Sequence, residues 1–332
     1  MSKLSKHIGQ LFITGFPGKE PPSPLLNFLT EEQIGGVILF EENATSPSLA
    51  QQNISRIRSC YTDAPPFVAI DQEGGRVSRL REAPAQFRAP AEYGVDRDVS
   101  RFAEDYSRSL VYLSSLGINL NLAPVADIAL NDENTCLADR CFGKDPGTVS
   151  VFVKASVATA RTHGVLCCLK HFPGFGAAGQ DPHAEVATAE YDVGLWQNRE
   201  SIPFQDGIAN GADLIMTTHL LLPKIDDTIV TGSKKIINDM IRVMLSFDGP
   251  VITDDLTMAG AEVLGSVGER AVAAFKAGHD LLLFGRDYEA AMRAYDYFVD
   301  AHTRGEISDN EIRASLNRVR GIKYKLTRSV LQ

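Results

Sequence analysis

Eight short apolar runs recur along the chain, and amphipathic stretches of helical period separate most of them. The runs are Gln10–Phe16, Gly36–Phe40, Phe67–Ile70, Ile118–Val125, Val165–Leu169, Asp213–Thr218, Pro250–Thr253 and Asp280–Phe284. They have no polar face, which predicts strands buried on both sides. Helical periodicity is clearest at Pro47–Cys60, Val99–Leu116, Thr148–His163, Lys234–Ser246, Glu269–Ala277 and Tyr288–Thr303. Ser46 before Pro47 has the N-cap and first-turn chemistry of a helix start. Gly117, Gly164, Gly211, Gly249 and Gly278 stand where helices should end. Strands alternating with helices predict an α/β fold, a single (β/α)8 barrel spanning residues 1–332. A further helix at about Asp309–Leu326 is expected to pack outside it. A doubly wound sheet is the weaker reading, since no Gly-x-Gly-x-x-Gly follows the first strand.

Composition narrows the function more than the fold. At 332 residues with 44% hydrophobic content, the chain can bury a large core. A net charge of -9 argues against nucleic acid as a partner. The five cysteines are irregularly spaced and form neither a disulfide framework nor a zinc pattern. The apolar patch after Lys6 is too short for a signal or a membrane span, so a cytoplasmic protein without membrane contact is expected. A monomer is expected as well, although no residue pattern fixes the oligomeric state. No cofactor is called for.

In a barrel, chemistry belongs at the C-terminal ends of the strands, and the polar residues fall there. Asp71 follows the third run, Asp127 the fourth, Lys170 and His171 the fifth, His219 the sixth and Asp254 the seventh. Asp71-Gln-Glu73-Gly-Gly-Arg76-Val-Ser-Arg79 offers carboxylates and guanidiniums that suit a ligand rich in hydroxyls, although surface ion pairs around a tight turn fit the segment as well. Asp139-Arg140 reads, by itself, as an exposed loop. Asp254-Asp255 is more specific, because adjacent carboxylates ending an apolar strand repel each other. Capping accounts for one of them, which leaves Asp254 as the candidate nucleophile.

Lys170-His-Phe-Pro-Gly-Phe-Gly-Ala-Ala-Gly-Gln-Asp181-Pro-His183 is the stretch around which the rest is organised. Gly174, Gly176 and Gly179 are expected to make it a mobile loop. Asp181 is spaced to orient His183, and an imidazole with a pKa near 6.5 both gives and recovers a proton at neutral pH.

These residues resemble a known family. Lys-His-Phe-Pro-Gly-Phe-Gly followed by Asp-Pro-His is similar to the signature of β-N-acetylglucosaminidases of glycoside hydrolase family 3. Asp71-x-Glu73-Gly-Gly-Arg-Val-x-Arg79, Ala123-Pro-Val-x-Asp127, Asp139-Arg140-x-Phe142 and Thr253-Asp-Asp-Leu256 resemble its other motifs, in the same order. The resemblance implies a single barrel without the sandwich domain of β-glucosidase relatives. It implies a retaining exo-β-N-acetylglucosaminidase acting on cell-wall (peptidoglycan) turnover fragments. Asp254 would be the nucleophile and His183, oriented by Asp181, the acid/base. Asp71, Arg79, Arg140, Lys170 and His171 would bind the sugar hydroxyls. The chain departs from the pattern at Phe175, Ala177 and Ala178, which would make the loop tip more apolar, and at Pro182, which fixes φ and removes one backbone donor beside the dyad. Phosphorolysis on the same scaffold is one alternative. A metal-dependent hydrolase with His171, His219 and Asp254 as ligands is another.

Overall fold

The computed structural model describes residues 5–62, 64–82, 84–179 and 186–329. Eight parallel strands form the core: β1 (Phe12–Thr14), β2 (Gly36–Leu39), β3 (Phe67–Ile70), β4 (Leu120–Asn121), β5 (Leu166–Phe172), β6 (Leu214–Thr217), β7 (Val251–Ile252) and β8 (Leu282–Phe284). Their order in space follows their order in sequence, from β7 back to β1 and on to β8. A parallel bridge between Ile252 and Leu281 joins β7 to β8 and closes the sheet on itself. The result is the expected (β/α)8 barrel, with β2 and β3 buried at every position.

A helix covers each strand-to-strand crossover: α1 (Ser23–Glu32), α2 (Pro47–Arg58), α3 (Val99–Leu116), α4 (Pro146–Thr162), α5 (Ser201–Ala209), α6 (Ile236–Met244) and α7 (Val267–Ala277). After β8 comes α8 (Tyr288–Thr303). Local chemistry sets many of the starts. Ser46 accepts from the Leu49 N–H at 3.2 Å, and Asp98, Asp145 and Asp287 cap α3, α4 and α8 in the same way. Gly117 and Gly278 end α3 and α7 at φ of 94° and 118°.

Gly249 behaves differently from the expectation. Helix α6, built on wide i→i+5 turns, ends before Ser246, which itself takes φ 51°. Gly249 is needed because a Cβ there would lie 2.8 Å from the Asp213 carbonyl oxygen. The last helix, α9 (Asp309–Ser329), also has a more definite place than outside the barrel. It runs across the N-terminal end, where Arg318 meets Asp280 at 2.9 Å and Lys323 donates to Gln10 and the Gly35 carbonyl, each at 2.8 Å. The opposite, C-terminal end stays open.

Candidate active site

Strand β5 runs three residues further than its apolar pattern, so Lys170 and His171 lie within it. The register against β6 shifts between Leu169 and Phe172. Such a bulge breaks the strict alternation of side chains, and Lys170 and His171 both face one pocket of about 440 Å³ at the C-terminal mouth. Asp71, Glu73, Arg79 and Arg140 reach the same pocket from the β3 and β4 sides, and Asp254 reaches it from β7.

The polar wall is one connected network. Lys170 Nζ lies 2.7 Å from Asp71 Oδ1 and 2.6 Å from Glu73 Oε1. Arg140 grips both oxygens of Glu73, at 2.8 and 2.9 Å, and its Nη2 donates to His171 Nε2 at 3.3 Å. Arg79 approaches Asp71 at 3.4 Å. Burial by itself would raise the Asp71 carboxyl, but Lys170 and Arg79 outweigh it and hold it below the usual range. Arg140 and Lys170 do the same, more strongly, for Glu73. Burial pulls the Lys170 amine down, yet the two carboxylates keep it above its ordinary value. Arg140, which reads as exposed in the sequence, has only 12% of its side chain accessible.

Asp127 supports this wall from behind. Its Oδ2 accepts from both the backbone N–H and Nδ1 of His171, at 3.1 and 2.7 Å, and its Oδ1 accepts from the Phe175 N–H at 2.6 Å. Since a guanidinium only donates, the Arg140 contact assigns the acceptor role to Nε2 and the proton to Nδ1. Glu73 and Asp127 are thus the positioning residues that sequence reasoning left without a role. Strand alternation carried the signal for Glu73, which shares a face with Asp71. For Asp127 the signal was its place after the fourth apolar run, which marks a strand end but not the partner it holds.

The two adjacent aspartates divide as capping predicts. Asp255 Oδ1 accepts from the backbone N–H and hydroxyl of Thr257 at 2.9 and 2.7 Å, closing a turn. Asp254 is half-buried, lines the pocket and makes no ion pair among the described residues. His219 lies behind them, with its Nε2 donating to the Asp255 carbonyl and its Nδ1 bonded to Thr231, at 2.9 and 2.6 Å. Burial lowers its pKa. Both ring nitrogens are therefore engaged, which removes His219 as a metal ligand. Among the described residues no three His, Cys, Asp or Glu side chains gather to hold a metal.

The glycine-rich stretch departs from expectation in its first half. Gly176 is required by packing, since a Cβ there would sit 1.6 Å from the Ile128 carbonyl oxygen. Gly174 takes φ 125° beside Glu200. Trp196 Nε1 and the Tyr191 hydroxyl donate to the carbonyls of Pro173 and Gly174 at 2.9 and 2.8 Å. Asn134 and the Asn131 N–H hold the carbonyls of Phe175 and Gly176 at 3.1 and 3.0 Å. Phe175 and Ala178 are buried, and Ala177 is half-buried, so these residues form the pocket wall and loop base rather than an apolar tip. Asp181, Pro182 and His183 lie outside the described residues.

Residues 3–322 match the model of the glycosyl hydrolase family 3 N terminal domain. The chain belongs to that family. It is 31% identical to a β-hexosaminidase of Xanthomonas euvesicatoria over 280 residues, covering 82% of this chain and 83% of that protein. A secreted glycosyl hydrolase of unassigned activity from Arthroderma benhamiae is 31% identical over 98% of this chain and 94% of its own. Among solved structures, the family 3 β-N-acetylglucosaminidase of Paenibacillus sp. FPU-7 superposes with a TM-score of 0.94 at 31% identity over 98% of this chain. This chain spans 63% of that one. The β-N-acetylhexosaminidase of Beutenbergia cavernae superposes with a TM-score of 0.90 at 28% identity, covering 97% of this chain and 99% of that one.

Proposed function

We propose that this family 3 glycoside hydrolase, of the β-N-acetylhexosaminidase type, removes terminal β-linked N-acetylglucosamine with retention of configuration. One observation carries the reading: Asp71, Lys170, Arg140 and His171 form a charged hydrogen-bonding wall, and Asp254, without an ion pair among the described residues, lines the same pocket. The wall holds ring hydroxyls, and the carboxylate attacks the anomeric carbon. His183, oriented by Asp181, protonates the leaving oxygen and then deprotonates the water that releases the sugar from Asp254. The names of the relatives at 31% identity support the choice of an N-acetylhexosamine.

In this proposal the substrates are peptidoglycan turnover fragments, met in the cytoplasm by a monomer. The five free thiols suit a reducing compartment. The deciding experiment follows hydrolysis of a chromogenic β-N-acetylglucosaminide by proton NMR, with and without phosphate. The β-anomer of free N-acetylglucosamine forms first if the proposal holds. Initial α-anomer, a sugar phosphate as product, or no turnover would each refute it.

A further inference from the structure

His219 is a buried imidazole to which the proposed reaction gives no task. It stands two residues past β6, has no exposed surface and does not line the pocket. Its Nε2 lies 2.9 Å from the Asp255 carbonyl oxygen, and its Nδ1 lies 2.6 Å from the Thr231 hydroxyl. A carbonyl only accepts, so Nε2 carries a proton. Burial lowers the pKa of the ring and keeps it neutral at neutral pH, so Nδ1 accepts from Thr231. Thr231, on the short turn Val230–Gly232, is buried as completely as the ring.

The residue that His219 holds is the one that orients Asp254. Asp254 Oδ1 accepts the backbone N–H of Asp255 at 2.8 Å. Asp255 is therefore tied at both ends of its backbone, to Asp254 by its N–H and to His219 by its carbonyl. The next residue is tied from other elements. The Leu256 N–H donates to the Leu283 carbonyl on β8, and Arg270 on α7 donates to the Leu256 carbonyl, each at 2.9 Å. Strand β7 lies between β6 and β8, so His219 supplies the anchor on the β6 side.

We propose that His219 is a positioning residue for Asp254: it locks the Asp255 carbonyl and, through the Asp255 N–H, holds the nucleophile's carboxylate toward the anomeric carbon. The proposal rests on the glycosidase reading above. A neutral imidazole suits this task. A lysine or arginine could donate to the same carbonyl, but its charge beside Asp254 would stabilise the carboxylate and blunt it as a nucleophile. His219 donates without bringing a charge. It touches no substrate and acts only through the turn that carries Asp254 and Asp255.

The test separates kcat from KM on a chromogenic β-N-acetylglucosaminide. His219→Leu fills the space and donates nothing, whereas His219→Gln offers an amide N–H to the same carbonyl. In His219→Leu, kcat is expected to fall about 100-fold with KM within about twofold, because the sugar wall is untouched. His219→Gln is expected to recover about tenfold of that loss. A rise in KM as large as the fall in kcat, or a Gln variant no better than Leu, would overturn the proposal. Thr231→Val reaches the same tie without altering the ring and decides the matter if His219→Leu does not fold. It frees the proton from Nε2, so kcat is expected to drop about fivefold at constant KM, and an unchanged kcat would refute the tie. In an Asp254→Asn background, His219→Leu is expected to change the residual rate by less than about twofold, since nothing remains to position. Equal losses in both backgrounds would overturn the proposal, whereas wild-type turnover by Asp254→Asn would overturn the glycosidase reading beneath it.

Discussion

Asp127 holds His171 at two points, its backbone N–H at 3.1 Å and its ring Nδ1 at 2.7 Å, through a single carboxylate oxygen. The other oxygen of Asp127 holds the Phe175 N–H, so one buried carboxylate fixes both the imidazole and the start of the glycine-rich stretch. Replacing it with Asn keeps the shape and removes one acceptor. Asp127→Asn is expected to raise KM for N-acetylglucosaminides by roughly tenfold, in line with about 1–3 kcal/mol for a partner left unpaired. Unchanged kinetics on a folded variant would show that His171 needs no such support.

Asp254 and Asp255 are neighbours with opposite expectations. Asp254→Asn should lower kcat by roughly 10³-fold or more while leaving thermal stability near wild type. Asp255→Asn should chiefly cost stability, on the order of 1 kcal/mol, because it weakens the turn with Thr257. Steady-state kinetics and denaturant titration of both variants check the assignment, and a reversed pattern would move the nucleophile.

Glu73 is the shared counter-ion of Lys170 and Arg140. Glu73→Gln leaves two buried cations with Asp71 as their remaining carboxylate in the network. Breaking a buried pair in this way costs about 3–5 kcal/mol, which chemical denaturation would register as a large drop in midpoint. A stable Glu73→Gln enzyme with normal KM would mean that the network is looser than its geometry.

The loop base gives a paired test. A Cβ at Gly176 meets the Ile128 backbone at 1.6 Å, whereas one at Gly179 meets, among the described residues, only the far end of Asn131 at 3.4 Å. Gly176→Ala is expected to destabilise by about 1–3 kcal/mol and to reduce activity, and Gly179→Ala to do neither. Equal tolerance at both positions would restore the mobile-loop reading for this half of the stretch.

His279 predicts an acid-side loss of stability. It is fully buried, with Nδ1 donating to the Ala274 carbonyl and Nε2 accepting from Thr217, each at 2.9 Å. Burial, with His219 and Arg242 adding to it, lowers its pKa to about 4. The unfolded chain takes up a proton near pH 6.5 and the folded one only near 4, so stability is full above 6.5 and declines as the pH falls toward 4. The loss is on the order of 3 kcal/mol. Unfolding free energies of wild type and His279→Asn across that window check it, because the variant should lack this part of the slope.

If His183 is the acid/base, His183→Ala should retain the first step on substrates with good leaving groups and lose deglycosylation, and azide should restore part of the rate. Equal inactivity on good and poor leaving groups, with no azide effect, would move the role elsewhere. Glu73 and Asp127 would be poor replacements, since both oxygens of each already accept hydrogen bonds.

The apolar runs alone determine the barrel, because a strand covered on both faces must be apolar throughout and its crossover helix amphipathic. The same pattern places Asp71, Lys170 and Asp254 at strand ends, where a barrel puts its chemistry. Periodicity is blind to contacts between distant segments. It therefore misses that Arg140 leaves its loop to bind Glu73, 67 residues away in sequence. It also reads glycine as freedom, whereas Gly176 is small because the backbone of Ile128 lies against it. Charge pairing and close approach are set by three-dimensional neighbours, and only the closed barrel supplies those.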